Sequence, residues 1–404
     1  MSPKPLEGLK VIEVANWVSG PTCGVMLSDY GAQVIKVEHL QTGGDQARGW
    51  IPEPDPPPDQ INYVFEAINR GKRSLALDLA SEKGAEIFAK LVKEVDVLVT
   101  NLRVGTAKAL GIDYDTLSAI NPSLVYGRLT GYGVEGPDKD RPGYDMLSFW
   151  ARSSLMSSFS PPEGPPMSLP NSLGDVTTGT YLFGGIMMAL YQRERTGKGA
   201  LVDTSLYNAG IWNSAESIWA MLISGRPLRS LAEYVKTNPL VQFYQCSDGK
   251  WAQLCMLQSD KAWVPFCHAI ERPDLAQAPK FGSLHDRSVH TTELTAILQA
   301  QFLRQPRYYW GSRLDEAGLP WEPVSSIEEV AANPQLQATG SIMEVKHPRH
   351  GPLKELAAPY RIGNRSFASE TSAPEFGAST EDVLLGLGYS WEEIVEFKET
   401  NVII

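Results

Sequence analysis

Short apolar runs and amphipathic stretches alternate along the first half of the chain. Leu9-Lys10-Val11-Ile12-Glu13-Val14 is rich in β-branched residues and predicts a strand. After the turn-like Ser19-Gly20-Pro21, a helical stretch runs from Thr22 to Tyr30 and stops at Gly31. Ala32 to Glu38 predicts a second strand, so the opening of the chain reads as β-α-β, the signature of a parallel sheet. The rhythm recurs with a strand over Ser74 to Leu79, an amphipathic helix over Ser81 to Val95, and a strand over Asp96 to Thr100 that ends at Asn101. A strand over Leu124 to Leu129, an apolar helix over Tyr181 to Arg193 and a strand over Ala200 to Ser205 continue it.

The texture changes after Ser224. Val241 to Cys246 and Trp251 to Leu254 read as strands joined through the turn pair Asp248-Gly249, and helical segments follow over Lys261 to Ile270, Thr292 to Phe302 and Tyr308 to Glu316. A strand near Ile342 to Val345 and a helix from Ser379 to Leu387 come last. The pattern predicts an α/β fold: an open parallel-sheet, Rossmann-like large domain with a smaller α+β domain. Residues 1–224 form the first part of the large domain, 225–325 the small domain, and 326–404 return to the large one. The proline-rich stretches Pro52 to Pro58 and Pro161 to Pro170 read as loops inside the large domain. The first β-α turn lacks GxGxxG, which removes the main support for a nicotinamide dinucleotide ligand.

Composition narrows the ligand. Against 36 Lys and Arg stand 47 Asp and Glu, so the net field repels nucleic acid and anionic membranes, and an anionic ligand has to meet a local basic pocket. The start of the chain has no apolar signal core and no window approaches the ~20 apolar residues of a membrane span, so a cytoplasmic protein is expected. Cys23, Cys246, Cys255 and Cys267 show no metal-binding spacing, and no structural metal is expected. No histidine lies between His39 and His268, which removes the commonest general base from the middle of the chain.

The segment Ser172-Leu173-Gly174-Asp175-Val176-Thr177-Thr178-Gly179-Thr180 places an aspartate just before the helix predicted at Tyr181. Such an aspartate is also an ordinary helix cap. Its company gives it more meaning. Leu6 to Glu13, Gly20-Pro21, Gly31 to Glu38, Asn69-Arg70-Gly71-Lys72-Arg73-Ser74, Gly174-Asp175, Arg195 to Gly199, Gly318-Leu319-Pro320 and Thr380 to Leu384 occur in this order. On these segments the chain resembles, over nearly its full length, the class III CoA-transferase family (CaiB/BaiF type), which includes formyl-CoA transferases and the related α-methylacyl-CoA racemases.

The resemblance implies a CoA-transferase in which Asp175 is the catalytic nucleophile. It would form a mixed anhydride and then an aspartyl-CoA thioester, moving CoA from a donor such as succinyl-CoA or acetyl-CoA to another carboxylic acid. A carboxylate with an ordinary pKa of ~3.9 is ionised at neutrality, so no histidine base is needed. No tightly bound cofactor is implied, since CoA and acyl-CoA are substrates. The partners implied are an interlocked homodimer or a related subunit in a heteromer.

For CoA contacts, Lys72 with Asn69 and Arg73 matches the family's Asn-x-x-Lys-Arg-Ser segment, and Asn101-Leu102-Arg103 follows a strand end where open α/β sheets bind ligands. Val18 and Ser19 match contact positions in the first β-α turn. His39 stands where the family has an arginine, and Lys108 is beside Ala109, where another arginine is common. The racemases carry a histidine in a Gly-His-Asp segment; here the positions are Gly143-Tyr144-Asp145, with Tyr144 and Asp145 expected in the CoA or acyl pocket. Tyrosine is a poor base near neutrality, so a racemase is the alternative rather than the main reading, and a non-catalytic CoA-binding partner subunit is a further one. Val18 replaces a glutamine of formyl-CoA transferase, and that enzyme's glycine-rich lid has no counterpart before Phe243. Formyl-CoA and oxalate are therefore not expected as substrates, and Trp17 with Val18 suggests a roomier acyl pocket.

Overall fold

The computed structural model describes residues 3–51, 61–161, 164–167, 172–226 and 237–404. Pro52 to Pro58 and part of Pro161 to Pro170 lie outside the described residues. In chain order the first elements are β1 (Lys10–Val14), α1 (Ser19–Asp29), β2 (Gln33–Glu38), α2 (Tyr63–Asn69), β3 (Arg73–Ala76), α3 (Glu82–Val92) and β4 (Val97–Thr100). After them come α4 (Val104–Ala109), α5 (Tyr114–Ile120), β5 (Val125–Thr130), α6 (Leu155–Phe159), α7 (Leu173–Thr196), β6 (Ala200–Ser205), α8 (Leu206–Asn213) and α9 (Ala215–Ser224). The strands form one six-stranded sheet in the order β3-β2-β1-β4-β5-β6, parallel throughout. This is the α/β architecture that the alternating pattern implied. It is the doubly wound order whose direction reverses between β1 and β4, leaving a crevice beyond their carboxyl ends.

Alternate residues of each strand face opposite layers. Val11, Val34, Val97, Val99 and Val125 pack with Cys23, Met26 and Leu27 of α1 and Leu182, Phe183 and Ile186 of α7. On the other face, Ile12, Val37, Leu98 and Tyr126 pack with Ile87, Phe88 and Leu91 of α3. Val383, Leu384, Ile394 and Phe397, from helices Thr380–Gly386 and Trp391–Glu399, complete that layer. Burial on both faces explains why these strands read as continuous β-branched runs.

Two compact units are present. The sheet lies in the unit made of Met1–Ser157, Ser168–Ala215 and Gln335–Ile404; the other comprises Ser158–Met167 and Glu216–Pro334. The second unit contains an antiparallel sheet of β7 (Phe243–Gln245), β8 (Trp251–Leu254) and β9 (Trp321–Pro323). Trp263, Phe266, Leu298, Phe302 and Trp310 pack in its core.

The largest departure from the sequence-based expectation is α7, which starts at Leu173 rather than Tyr181. Gly174, Val176, Thr177, Thr178 and Gly179 are weak helix formers. Packing overrides propensity here. A Cβ on Gly174 would meet Phe149 at 2.3 Å, and one on Gly179 would meet the Ser19 carbonyl oxygen at 2.4 Å. The glycines let α7 pack against α1 and against a π-helical turn at Asp145–Ala151. Asp175 consequently sits inside the first turn of α7 instead of preceding it.

Candidate active site

The crevice beyond β1 and β4 opens into a cavity of about 650 Å³, lined by residues of the sheet-bearing unit alone. Its walls include Asn16, Trp17 and Ser19 after β1, Asn101, Leu102 and Arg103 after β4, and Thr130 and Gly131 after β5. Lys139, Arg141, Gly143 and Tyr144 come from the following loop, and Asp175 from α7. Of the side chains expected at a CoA site, the structure therefore brings Ser19, Asn101, Leu102, Arg103 and Tyr144 to the same cavity as Asp175.

Asn101 has a second task there. Its carboxamide nitrogen donates to the Asn16 carbonyl at 2.7 Å, while its oxygen accepts the Asn16 N–H at 3.0 Å. The side chain thus ties the turn after β1 to the end of β4. Arg103 and Lys139 are exposed and form no ion pair among the described residues, which leaves two cations available to an anionic ligand. Lys139 and Arg141 escaped the sequence reading because their loop, Pro137 to Pro142, reads only as a turn rich in proline and charge.

Other expected residues lie off the wall. Val18 is buried at the start of α1, His39 follows β2 with its Nε2 3.9 Å from Asp78, and Lys108 is exposed on α4. Arg73 opens β3 at the strand end opposite the crevice. Lys72 is buried, with its ammonium 2.7 Å from Glu13, 3.0 Å from the Pro21 carbonyl and 2.9 Å from the Asn69 carboxamide oxygen. These three acceptors hold both Lys72 and Asn69 inside the protein.

Lys72 is one end of a buried charge network. Lys36, fully buried in β2, hydrogen-bonds to Glu13 of β1 and to the Ala15 carbonyl, each at 2.8 Å, and pairs with Asp45 at 2.8 Å. Sequence reading missed this network, although Glu13 and Lys36 signal it by interrupting the β-branched runs of β1 and β2.

Asp175 is partly buried, and Asp145 is almost wholly so. Ser172, the residue before α7, makes no side-chain cap; instead Asp145 Oδ1 accepts the Asp175 N–H at 3.1 Å. Burial, and secondarily the neighbouring Asp145 charge, push the Asp175 carboxyl up to about 7. The ordinary pKa used for the sequence-based expectation does not apply, because desolvation penalises the charged form. A carboxyl held up to about 7 is only partly ionised at neutrality.

This coupling predicts a pH effect. A carboxyl acting as nucleophile is inert when protonated, so kcat/KM should fall as pH drops through about 7. Asp145→Asn keeps an oxygen for the Asp175 N–H but removes the charge. The acidic limb should therefore move to lower pH, by ~1 unit. A pH–rate profile of the variant checks this, and an unmoved limb contradicts it.

A doubly wound sheet with a carboxylate beside a basic cavity at its switch point defines an α/β enzyme for a large anionic substrate. The chain belongs to CoA-transferase family III, whose sequence model matches residues 6–380. It is an enzyme of this class, with CoA thioesters as substrates. The chain is similar to (R)-2-hydroxy-4-methylpentanoate CoA-transferase of Clostridioides difficile, with 31% identity over 98% of this chain and 99% of the relative. It is also similar to cinnamoyl-CoA:phenyllactate CoA-transferase of Clostridium sporogenes, with 29% identity over 98% of this chain and 97% of the relative. The crystal structure of a CaiB/BaiF family protein from Brucella suis superposes with a TM-score of 0.85 at 30% identity, covering 96% of this chain and all of that one.

No helix among the described residues is long and apolar enough to cross a membrane. Among the same residues, no group of three or more His, Cys, Asp or Glu could hold a metal ion.

Proposed function

We propose that this enzyme moves CoA from a small donor thioester, such as succinyl-CoA or acetyl-CoA, to a larger carboxylic acid with an apolar, branched or aromatic side chain. Asp175 is the covalent relay. The observation that carries this reading is the position of Asp175, the carboxylate at the first turn of α7 that shares one cavity with Arg103, Lys139 and Arg141. The hydroxy-acid substrates in the names of the C. difficile and C. sporogenes relatives support the acceptor class.

The chemistry balances without a base. An Asp175 oxygen attacks the donor thioester carbonyl, the C–S bond breaks, CoA thiolate leaves, and a mixed anhydride forms. Thiolate then attacks the aspartyl carbonyl and releases the donor acid as its carboxylate. The acceptor carboxylate attacks the aspartyl-CoA thioester, forming a second anhydride and expelling thiolate again. Return of thiolate to the acceptor's acyl carbon regenerates Asp175 and releases the new thioester. Each step exchanges carboxylate for thiolate, so no proton is consumed. No histidine lines the cavity among the described residues, which favours this exchange over α-proton transfer.

The basic side chains suit the phosphates of CoA. Exposed Met188 and Tyr191 on α7 and Trp212 on α8 supply an apolar face of the kind a second subunit covers, in keeping with a dimer. A panel of acyl-CoA donors and carboxylic acids tests the reaction. Thioesters of branched or aromatic acids are the expected products; α-deuterium exchange into acyl-CoA with no acceptor acid present would point to racemisation instead.

A further inference from the structure

The turn between β1 and α1 is gripped at three successive residues, Ala15, Asn16 and Trp17. Lys36 hydrogen-bonds to the Ala15 carbonyl, Asn101 takes both backbone groups of Asn16, and Asp45 Oδ1 accepts the Trp17 N–H at 2.9 Å. Trp17 is in the left-handed region, with φ of 63°. This conformation is unfavourable for a bulky side chain and persists only where surrounding contacts enforce it. Asp45 is one such contact. It is buried to 2% exposure, and its other oxygen pairs with Lys36 at 2.8 Å, so both carboxylate oxygens are engaged inside the protein.

The held residue presents its indole to the substrate cavity. Trp17 is 39% exposed, lines the cavity that Asp175 also lines, and meets the Trp50 ring edge-on at 6.2 Å. With its backbone held and its ring against Trp50, the indole offers an aromatic surface to an apolar or aromatic group on a substrate. A tryptophan on an unrestrained turn would lose backbone entropy on binding, whereas one whose backbone is held beforehand does not.

We propose that Asp45 is a positioning residue for acyl selectivity: by fixing the Trp17 backbone it sets the indole as the wall that favours an aromatic acyl group over a small one. This rests on the proposed transfer reaction, because it places the acyl end of the thioester at the Trp17 wall of the cavity that Asp175 also lines. It requires neither the covalent step nor turnover.

Binding in the Asp175→Asn background tests it without catalysis. Isothermal titration should give 3-phenylpropanoyl-CoA a Kd at least tenfold below that of acetyl-CoA. Trp17→Ala should bring this ratio within about threefold of unity, and Trp17→Phe should restore much of it. Asp45→Ala should reproduce the loss, while Asp45→Asn, which keeps an oxygen for the Trp17 N–H, should retain most of the preference. If Asp45→Ala does not fold, Asp45→Ser replaces it, its hydroxyl being too short to span the gap. An unchanged ratio in the Asp45 variant, or losses matched by an equal loss for free CoA, would overturn the positioning role. Failure of free CoA to bind the Asp175→Asn protein would instead sink the underlying CoA-site reading.

Discussion

Asp175→Asn should lose at least ~10³-fold in kcat while becoming more resistant to heat. The amide fills the same space but cannot carry CoA through an acyl linkage, so the loss should fall on kcat for every donor and acceptor alike. The stability gain follows from linkage. Folded Asp175 holds its proton up to about pH 7, whereas in the unfolded chain it releases it near ~3.9. Between those values the folded state binds more protons, so this group's contribution makes stability fall as pH rises. Removing the titration should stabilise the variant by ~1–3 kcal/mol above pH 7, less at pH 5, and not at all below pH 4. Thermal unfolding of both proteins at pH 5 and pH 8 checks it; a variant equally stable or weaker at pH 8 would contradict the buried, charge-coupled environment.

Lys36→Met should be among the most damaging single changes in the fold, costing ~3–5 kcal/mol. Lys36 lies 2.8 Å from both Glu13 and Asp45, all three essentially out of solvent. Removing the ammonium leaves two buried carboxylates with one fewer counter-charge, and Lys72 reaches only Glu13. The double change Lys36→Met with Asp45→Asn should be less harmful than Lys36→Met alone, since it removes the orphaned charge at Asp45. Chemical denaturation of the two variants measures the difference, and strictly additive losses would argue against a coupled network.

The sheet was legible in the sequence because strands buried on both faces must be apolar at nearly every position. Val11-Ile12 and Val97-Leu98-Val99 announced themselves, and the amphipathic helix α3 did so through its periodic Ile87, Phe88 and Leu91. The first two turns of α7 were not legible. Their glycines and β-branched residues argue locally against a helix, and only contact with Ser19, Asp145 and Phe149 explains them. The charge network was obscured for a related reason. Lys72 looks like a phosphate ligand in isolation, and only the fold reveals the buried Glu13 that it neutralises. Likewise, Asp175 could be singled out by its surrounding motifs, but its raised pKa depends on its burial in the fold and, secondarily, on Asp145, thirty positions earlier in the chain and adjacent in space.

Direct capture of the covalent state is the decisive measurement. Incubation with a productive acyl-CoA, quenching with borohydride and peptide mapping by mass spectrometry should find Asp175 reduced to the corresponding alcohol. The Asp175→Asn protein should give no such product. Reduction at another carboxylate, or rapid CoA transfer with Asp175 left unmodified under conditions that trap thioesters, would contradict the relay.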